Sequence, residues 1–244
     1  MVNVTSSDLL PFGSNELFRN DDLSSDPIDI TSIFESGINI GDTNFTPIYV
    51  NTNGNVTFGG GLSQFTPEGI GTSTNTLAII APFWADVDTR GTDDPAKNVF
   101  WDFNTERDSI VVTWNDVGYF SQRQDRENTF QLELADNGNG DVQIVFRYTD
   151  INWTTGEASG GQDGLGGDVA RAGFAFGQDL SFELPASGNQ SAILSLEDNP
   201  GNTGVDGAWL FDIRGGDLVN VGTAGDDNLT GDYESDSIIG NDGN

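Results

Sequence analysis

Two aspartates stand directly behind a tryptophan at the end of the most hydrophobic run of the chain, "LAIIAPFWADVDTRG" (77–91). In a strand, Ala81, Phe83 and Ala85 fall on one face, and Pro82, Trp84 and Asp86 on the other. If the strand continues, Asp86 and Asp88 share a face, with side chains ~7 Å apart. That is too far for one pair to chelate an ion alone, but a bend closes the gap. Three chemistries are open to the pair. A carboxylate can cap a turn, accepting N–H groups from "TRGTDD" or pairing with Arg90. Both can bind calcium in a site completed by carbonyls or by Asp93 and Asp94. Or they can serve as the acid pair of a glycoside hydrolase, which needs neither His nor Cys. No isolated Asp/Glu pair on separated strand ends stands out, so a non-catalytic protein is expected.

A second acidic pattern lies at the C-terminus. After Arg214 no basic residue follows, and the tail reads "GTAGDDNLT", "GDYESDSII", "GNDGN". Gly222, Gly231 and Gly240 hold position one, Asp227 and Asp236 position six, and Leu229 and Ile238 position eight. This phase matches the calcium-binding nonapeptide, in which six residues turn and three form a strand that buries its apolar residue. Asp227 and Asp236, with turn carbonyls such as that of Gly225, would face calcium between coils. Two repeats are too few to stack a stable roll, because each coil needs neighbours. The tail is therefore expected to be weakly ordered, the start of an array.

Trp84 and Trp153 adjoin polar loops and are the candidates for stacking on a sugar or other ligand. Trp101 and Trp114 alternate with other strand residues and are simplest as core or hairpin partners.

Composition narrows the field. Thirty-nine acidic against nine basic residues give a formal charge of −30, which excludes a phosphate-binding basic patch and hence nucleic acid. The same sign disfavours anionic membranes, and no apolar run reaches spanning length. With no Cys and no His, disulfides, cysteine nucleophiles and His-based triads are absent. A secreted protein without disulfides leans towards a bacterial source. The opening "MVNVTSSDLLPFGS" lacks a basic region followed by an apolar stretch, so it is not a Sec signal peptide.

The elements that must carry these residues are short strands with tight turns: 32 glycines and no 3.6-residue apolar period. Strands are expected at about 28–34, 46–58, 77–87, 98–103, 109–115, 127–134, 142–148, 169–176 and 207–213. Phe130, Leu132 and Leu134, then Val142, Ile144, Phe146 and Tyr148, point to one face; Gln131, Glu133, Gln143 and Arg147 point to the other, with Val145 the exception. "ADNGNGD" joins these strands as a hairpin, and "NTERDS" does the same between "VFWDF" and "IVVTW". Residues 88–98 and 154–168 are loops by composition.

Blocks spread along the body resemble the nidogen-like extracellular domain, NIDO. They are "VNTNGNVTFGGGLSQFTP", "IIAPFWADVDTR", "ENTFQLELADNGNGDVQIVFRYTDINW", "ARAGFAFG" with "FELPAS", and "GAWLFDI". The resemblance covers roughly residues 15–214. It implies an extracellular all-β module associated with adhesion and matrix contact, not catalysis. The expectation is an all-β protein: an antiparallel β-sandwich with long loops and a short, weakly ordered repeat tail. Residues 1–14 would be a leader segment, 15–216 the β domain and 217–244 the first repeats. Function is expected to be adhesion or interaction at a cell surface or after secretion, through a type I route, within a larger bacterial protein. The partner would be matrix, a surface protein or a glycan, with calcium as cofactor; a carbohydrate-binding module is the runner-up.

Overall fold

In a computed structural model the chain is described over residues 1–40, 43–72, 77–177, 180–221 and 237–239. The strands are β1 (Asn15–Glu16), β2 (Ile28–Asp29), β3 (Ile38–Ile40), β4 (Thr43–Phe45), β5 (Pro47–Asn51), β6 (Asn55–Phe58), β7 (Ala78–Trp84) and β8 (Val87–Asp88). There follow β9 (Asn98–Asn104), β10 (Ser109–Tyr119), β11 (Arg123–Asp136), β12 (Val142–Ile151), β13 (Arg171–Ala175) and β14 (Ser181–Glu183). The last are β15 (Ala208–Arg214), β16 (Asp217–Val221) and β17 (Ser237–Ile239). Among the described residues the only α-helix is one turn, Gln190–Ile193, so the all-β expectation holds.

Two sheets carry the core. The larger runs β1-β9-β10-β11-β12-β15-β16-β17, with β8 also pairing β10. The smaller runs β14-β13-β7-β6-β5-β2. Among the described residues every pairing is antiparallel except β16 with β17. The two hairpins read from turn chemistry are present. Ser109 pairs with Asn104 across "NTERDS", and Asp136 with Val142 across "ADNGNGD", where Gly138, Asn139 and Gly140 adopt positive φ. The inward residues behave as the alternation requires: Phe130, Leu132, Leu134, Val142, Ile144 and Phe146 are fully buried between the sheets.

The outward face of β11 and β12 is buried too. Residues 2–10 run across it. The Val2 amide donates to Gln143 Oε1 (2.7 Å), and Leu10 exchanges two hydrogen bonds with the Gln131 amide. Val4 packs on Val145 and Ala208. This explains Val145, which broke the polar pattern of that face. Beneath the same face Glu133 is fully buried between Arg107 (2.7 Å) and Arg147 (2.8 Å). Here buried Val4, with the hydrogen bonds of Val2 and Leu10, makes a covering segment of what the sequence presents as a polar leader.

Two strands differ from expectation: 77–87 divides between the sheets as β7 and β8, and 28–34 is cut short. Only Ile28–Asp29 pairs, rather than 28–34. Asp29 accepts the Thr31 amide, and the amides of Ile33 and Phe34 both donate to Ile30 O, so the chain turns instead of extending.

Candidate metal centre and the aromatic groove

The acidic pair sits where the chain changes sheets. β7 ends at Trp84 in the smaller sheet, and β8 begins at Val87 against β10 of the larger. The bend falls on Ala85 and Asp86. Phe120 N donates to Asp86 O (3.1 Å), and Val87 N to Asn53 Oδ1 (3.0 Å), which hold it.

The bend separates the two carboxylates' roles. Asp88 is fully buried and saturated. It caps the 3₁₀ turn Thr89–Gly91, accepting from Arg90 N (3.0 Å) and Arg90 Nε (2.8 Å) at Oδ1. Its Oδ2 accepts from Arg90 Nη2 (2.7 Å) and Gln122 N (2.9 Å). Of the readings open to Asp88, the capping and Arg90-pairing one describes its contacts. Asp93 and Asp94 are exposed, and Asp94 caps its own turn through Ala96 N (3.0 Å), so neither joins Asp86.

Asp86 faces different neighbours. It is 1% exposed, and its Oδ2 is buried with no hydrogen-bond partner. One carboxylate oxygen from each of Asp86, Asp21 and Asp22 lies within 4.8 Å of the others. Asp21 and Asp22 come from a loop fastened at both ends. Asn20 N donates to Thr89 Oγ1 (2.9 Å) and Thr89 N to Asn20 O (3.0 Å), while Thr52 N donates to Leu23 O (3.0 Å). Arg90 Nη2 holds Asp21 Oδ2 (2.9 Å), leaving Asp21 Oδ1 buried and unpartnered. Asn53 Nδ2 holds Asp22 Oδ1 (2.9 Å). On the far side, Gly156 closes over the group: a Cβ there would stand 2.4 Å from Asp86 Oδ2.

The electrostatics follow from this crowding. Burial, then the charges of Asp21, Asp22 and Asp88, push the Asp86 carboxyl up to about 7. Burial, then Asp88 and Asp22, push Asp21 up to about 6 despite Arg90. Sequence reasoning found Asp86 but missed its partners. "DD" occurs at 21–22, 93–94 and 226–227, and no local spacing marks the first doublet as the one that meets residue 86.

The tryptophan candidates are corrected. Trp84 is 1% exposed, donates to Gln64 O (2.9 Å) and packs on Ile70, Ile79 and Ala81 beneath the loop that follows β6. Trp153 is fully buried, donates to Val117 O (3.0 Å) and meets Phe83 edge-on at 5.7 Å. Neither offers a face to a ligand. Trp114 is core, and Trp101, half-buried, is the hairpin partner of Val112. Trp101 and Phe103, edge to face at 5.7 Å, line a groove of about 540 Å³ at the open edge between the sheets. Phe18, 85% exposed, and Leu23, 56% exposed, line it too, with exposed Glu16, Asp26 and Asp29 around it. Gly225, Asp227 and Asp236 lie outside the described residues.

Comparison with known proteins places the chain. A family model described as "Nidogen-like domain" matches residues 46–109 and 96–215. The chain is 37% identical over 197 residues to mouse α-tectorin, a match covering 71% of this chain and 9% of that protein. It is 31% identical over 192 residues to Drosophila melanogaster nidogen, covering 69% of this chain and 14% of nidogen. Chicken α-tectorin matches at 32% identity over 196 residues, again spanning 9% of its length. The chain thus spans a small part of the curated relatives it matches. No solved structure matches it. No helix among the described residues is long and apolar enough to cross a membrane. The chain belongs to the nidogen-like domain family.

Proposed function

We propose that the chain is a non-catalytic interaction module of a secreted or cell-surface protein, holding a matrix or surface-protein partner. The observation that carries this reading is the groove at the open sheet edge. It offers Phe18, Leu23, Trp101 and Phe103 to a partner inside an acidic rim. Exposed aromatic anchors ringed by polar residues are the usual make-up of a protein-binding surface. Membership of the nidogen-like family supports the extracellular setting. Asp86 is too deeply buried to protonate a glycosidic oxygen, which weighs against a two-carboxylate hydrolase.

A glycan partner is the second reading, favoured by the paired rings of Trp101 and Phe103 beside Glu16, Asp26 and Asp29. Binding to immobilised matrix proteins and to a glycan array separates the two. Trp101→Ala together with Phe18→Ser is expected to abolish binding while leaving the melting temperature within a few degrees. Unchanged binding by that variant removes the groove.

The reading extends to the tail. Val219 pairs with Ser237, Asn220 with Ile238 and Val221 with Ile239, in parallel, so partners lie 18 residues apart. That offset is twice the nine-residue period, as two nonapeptides per coil would require. It supports calcium-binding repeats that continue from the last strand of the larger sheet. Such repeats, with the absence of Cys, favour a larger bacterial protein exported by a type I route.

A further inference from the structure

We propose that Asp21, Asp22 and Asp86 bind one calcium ion that clamps the 20–23 loop to the end of the sandwich. Three carboxylates converge here from two distant segments, and one of them, Asp86, carries a buried oxygen without a partner. A buried carboxylate oxygen with no donor is a costly arrangement, and a cation is the group that relieves it. Side chains around the group leave the needed oxygens free. Arg90 occupies one oxygen of Asp21, and Asn53 one oxygen of Asp22. These contacts orient both carboxylates as partners behind metal ligands do.

Arg90 cannot replace the ion. Three of its hydrogen bonds go to Asp88 and one to Asp21, and none reaches Asp86. The donors are all hard oxygens, and the chain has neither His nor Cys, which suits calcium and not zinc. The size is also right. Oxygens 2.3–2.6 Å from one calcium are at most ~5 Å apart, and these lie within 4.8 Å of one another. Gly156, whose lack of a Cβ admits Asp86 Oδ2, encloses the site from the 154–168 loop. Asn20 and Leu23, which flank the two loop aspartates, also line the groove, so the ion would set one groove wall. That last link rests on the groove being the binding surface; the ion site itself does not.

The test is calorimetric titration of the full chain with calcium chloride, with Asp227→Asn and Asp236→Asn as a common background to silence the repeats. The background protein is expected to bind one ion per chain and to melt higher in millimolar calcium. Adding Asp86→Asn should weaken binding at least tenfold and remove the calcium-induced rise. In calcium-free buffer the Asp86→Asn chain should melt no lower than its parent, because the amide removes repulsion; a merely structural carboxylate would give a fall. Asp22→Asn, on the half-buried loop, gives the same binding loss if Asp86→Asn does not fold. Absence of calcium uptake by the background protein, or uptake unchanged by both substitutions, overturns the site. Because calcium is read without any partner, that failure would leave the groove reading standing.

Discussion

Asp86 and Asp88 are two residues apart, yet one is surrounded by donors and the other by acids. The difference arises because the chain bends at Ala85 and Asp86 as it changes sheets, so the face the two would share in a continuous strand never forms. Glu133 shows the opposite balance. Burial pushes its carboxyl up, but hydrogen bonds and charge from Arg107 and Arg147 outweigh this and hold it below its ordinary 4.5. A depressed folded-state value means stability that is present above the unfolded value and lost as pH falls through the folded one. Glu133→Gln should therefore destabilise at neutral pH by about 3–5 kcal/mol, since Arg147 is left buried without its counter-charge. Below pH 4.5 the gap between variant and wild type should narrow. Urea unfolding across pH 3–7 measures both; a gap that is constant with pH would mean that the ion pair is not the source.

At the scale of elements, turn chemistry is the most legible part of the fold. The turn of "VNTNGNVTF" needs its glycine: Gly54 has φ +75°, and a Cβ would stand 1.7 Å from Phe83 O. Gly138 has φ +79° but open space around it. Gly54→Ala should cost more than 3 kcal/mol, through strain and displacement of β7, whereas Gly138→Ala should cost about 1 kcal/mol, the left-handed penalty alone. Thermal melts of the two variants check the ranking. The hairpins from 98 to 151 and the inward stripe of Phe130, Leu132 and Leu134 were equally plain, because period-two alternation and positive-φ turns are local signals. What stayed hidden depends on remote chain. Trp84 and Trp153 look like loop-side rings until other segments fold over them. Asp21 and Asp22 meet Asp86 only through the bend and the stapled loop, neither of which has a spacing that a linear reading detects.

At the scale of the molecule, the segment at residues 2–10 ties the start of the chain to three strands of the larger sheet. Val2 reaches Gln143, Leu10 reaches Gln131, and Val4 packs on Val145 and Ala208. These contacts need the sheet already assembled, so they are expected to form after the transition state for folding. Val4→Ala removes buried apolar area worth about 1 kcal/mol and should appear as an unfolding rate raised about fivefold with the folding rate unchanged. Stopped-flow kinetics with denaturant jumps in both directions would test this, and a slowed folding arm would place the segment in the nucleus instead.

The same covering segment has a temporal consequence. Val4 is synthesised well ahead of Ala208, on which it packs. The covering segment must wait, solvated, until the strand that seats it has been made. Its sparsely apolar composition, "MVNVTSSD", suits that interval, because a strongly hydrophobic stretch left exposed so long would invite association with other nascent chains.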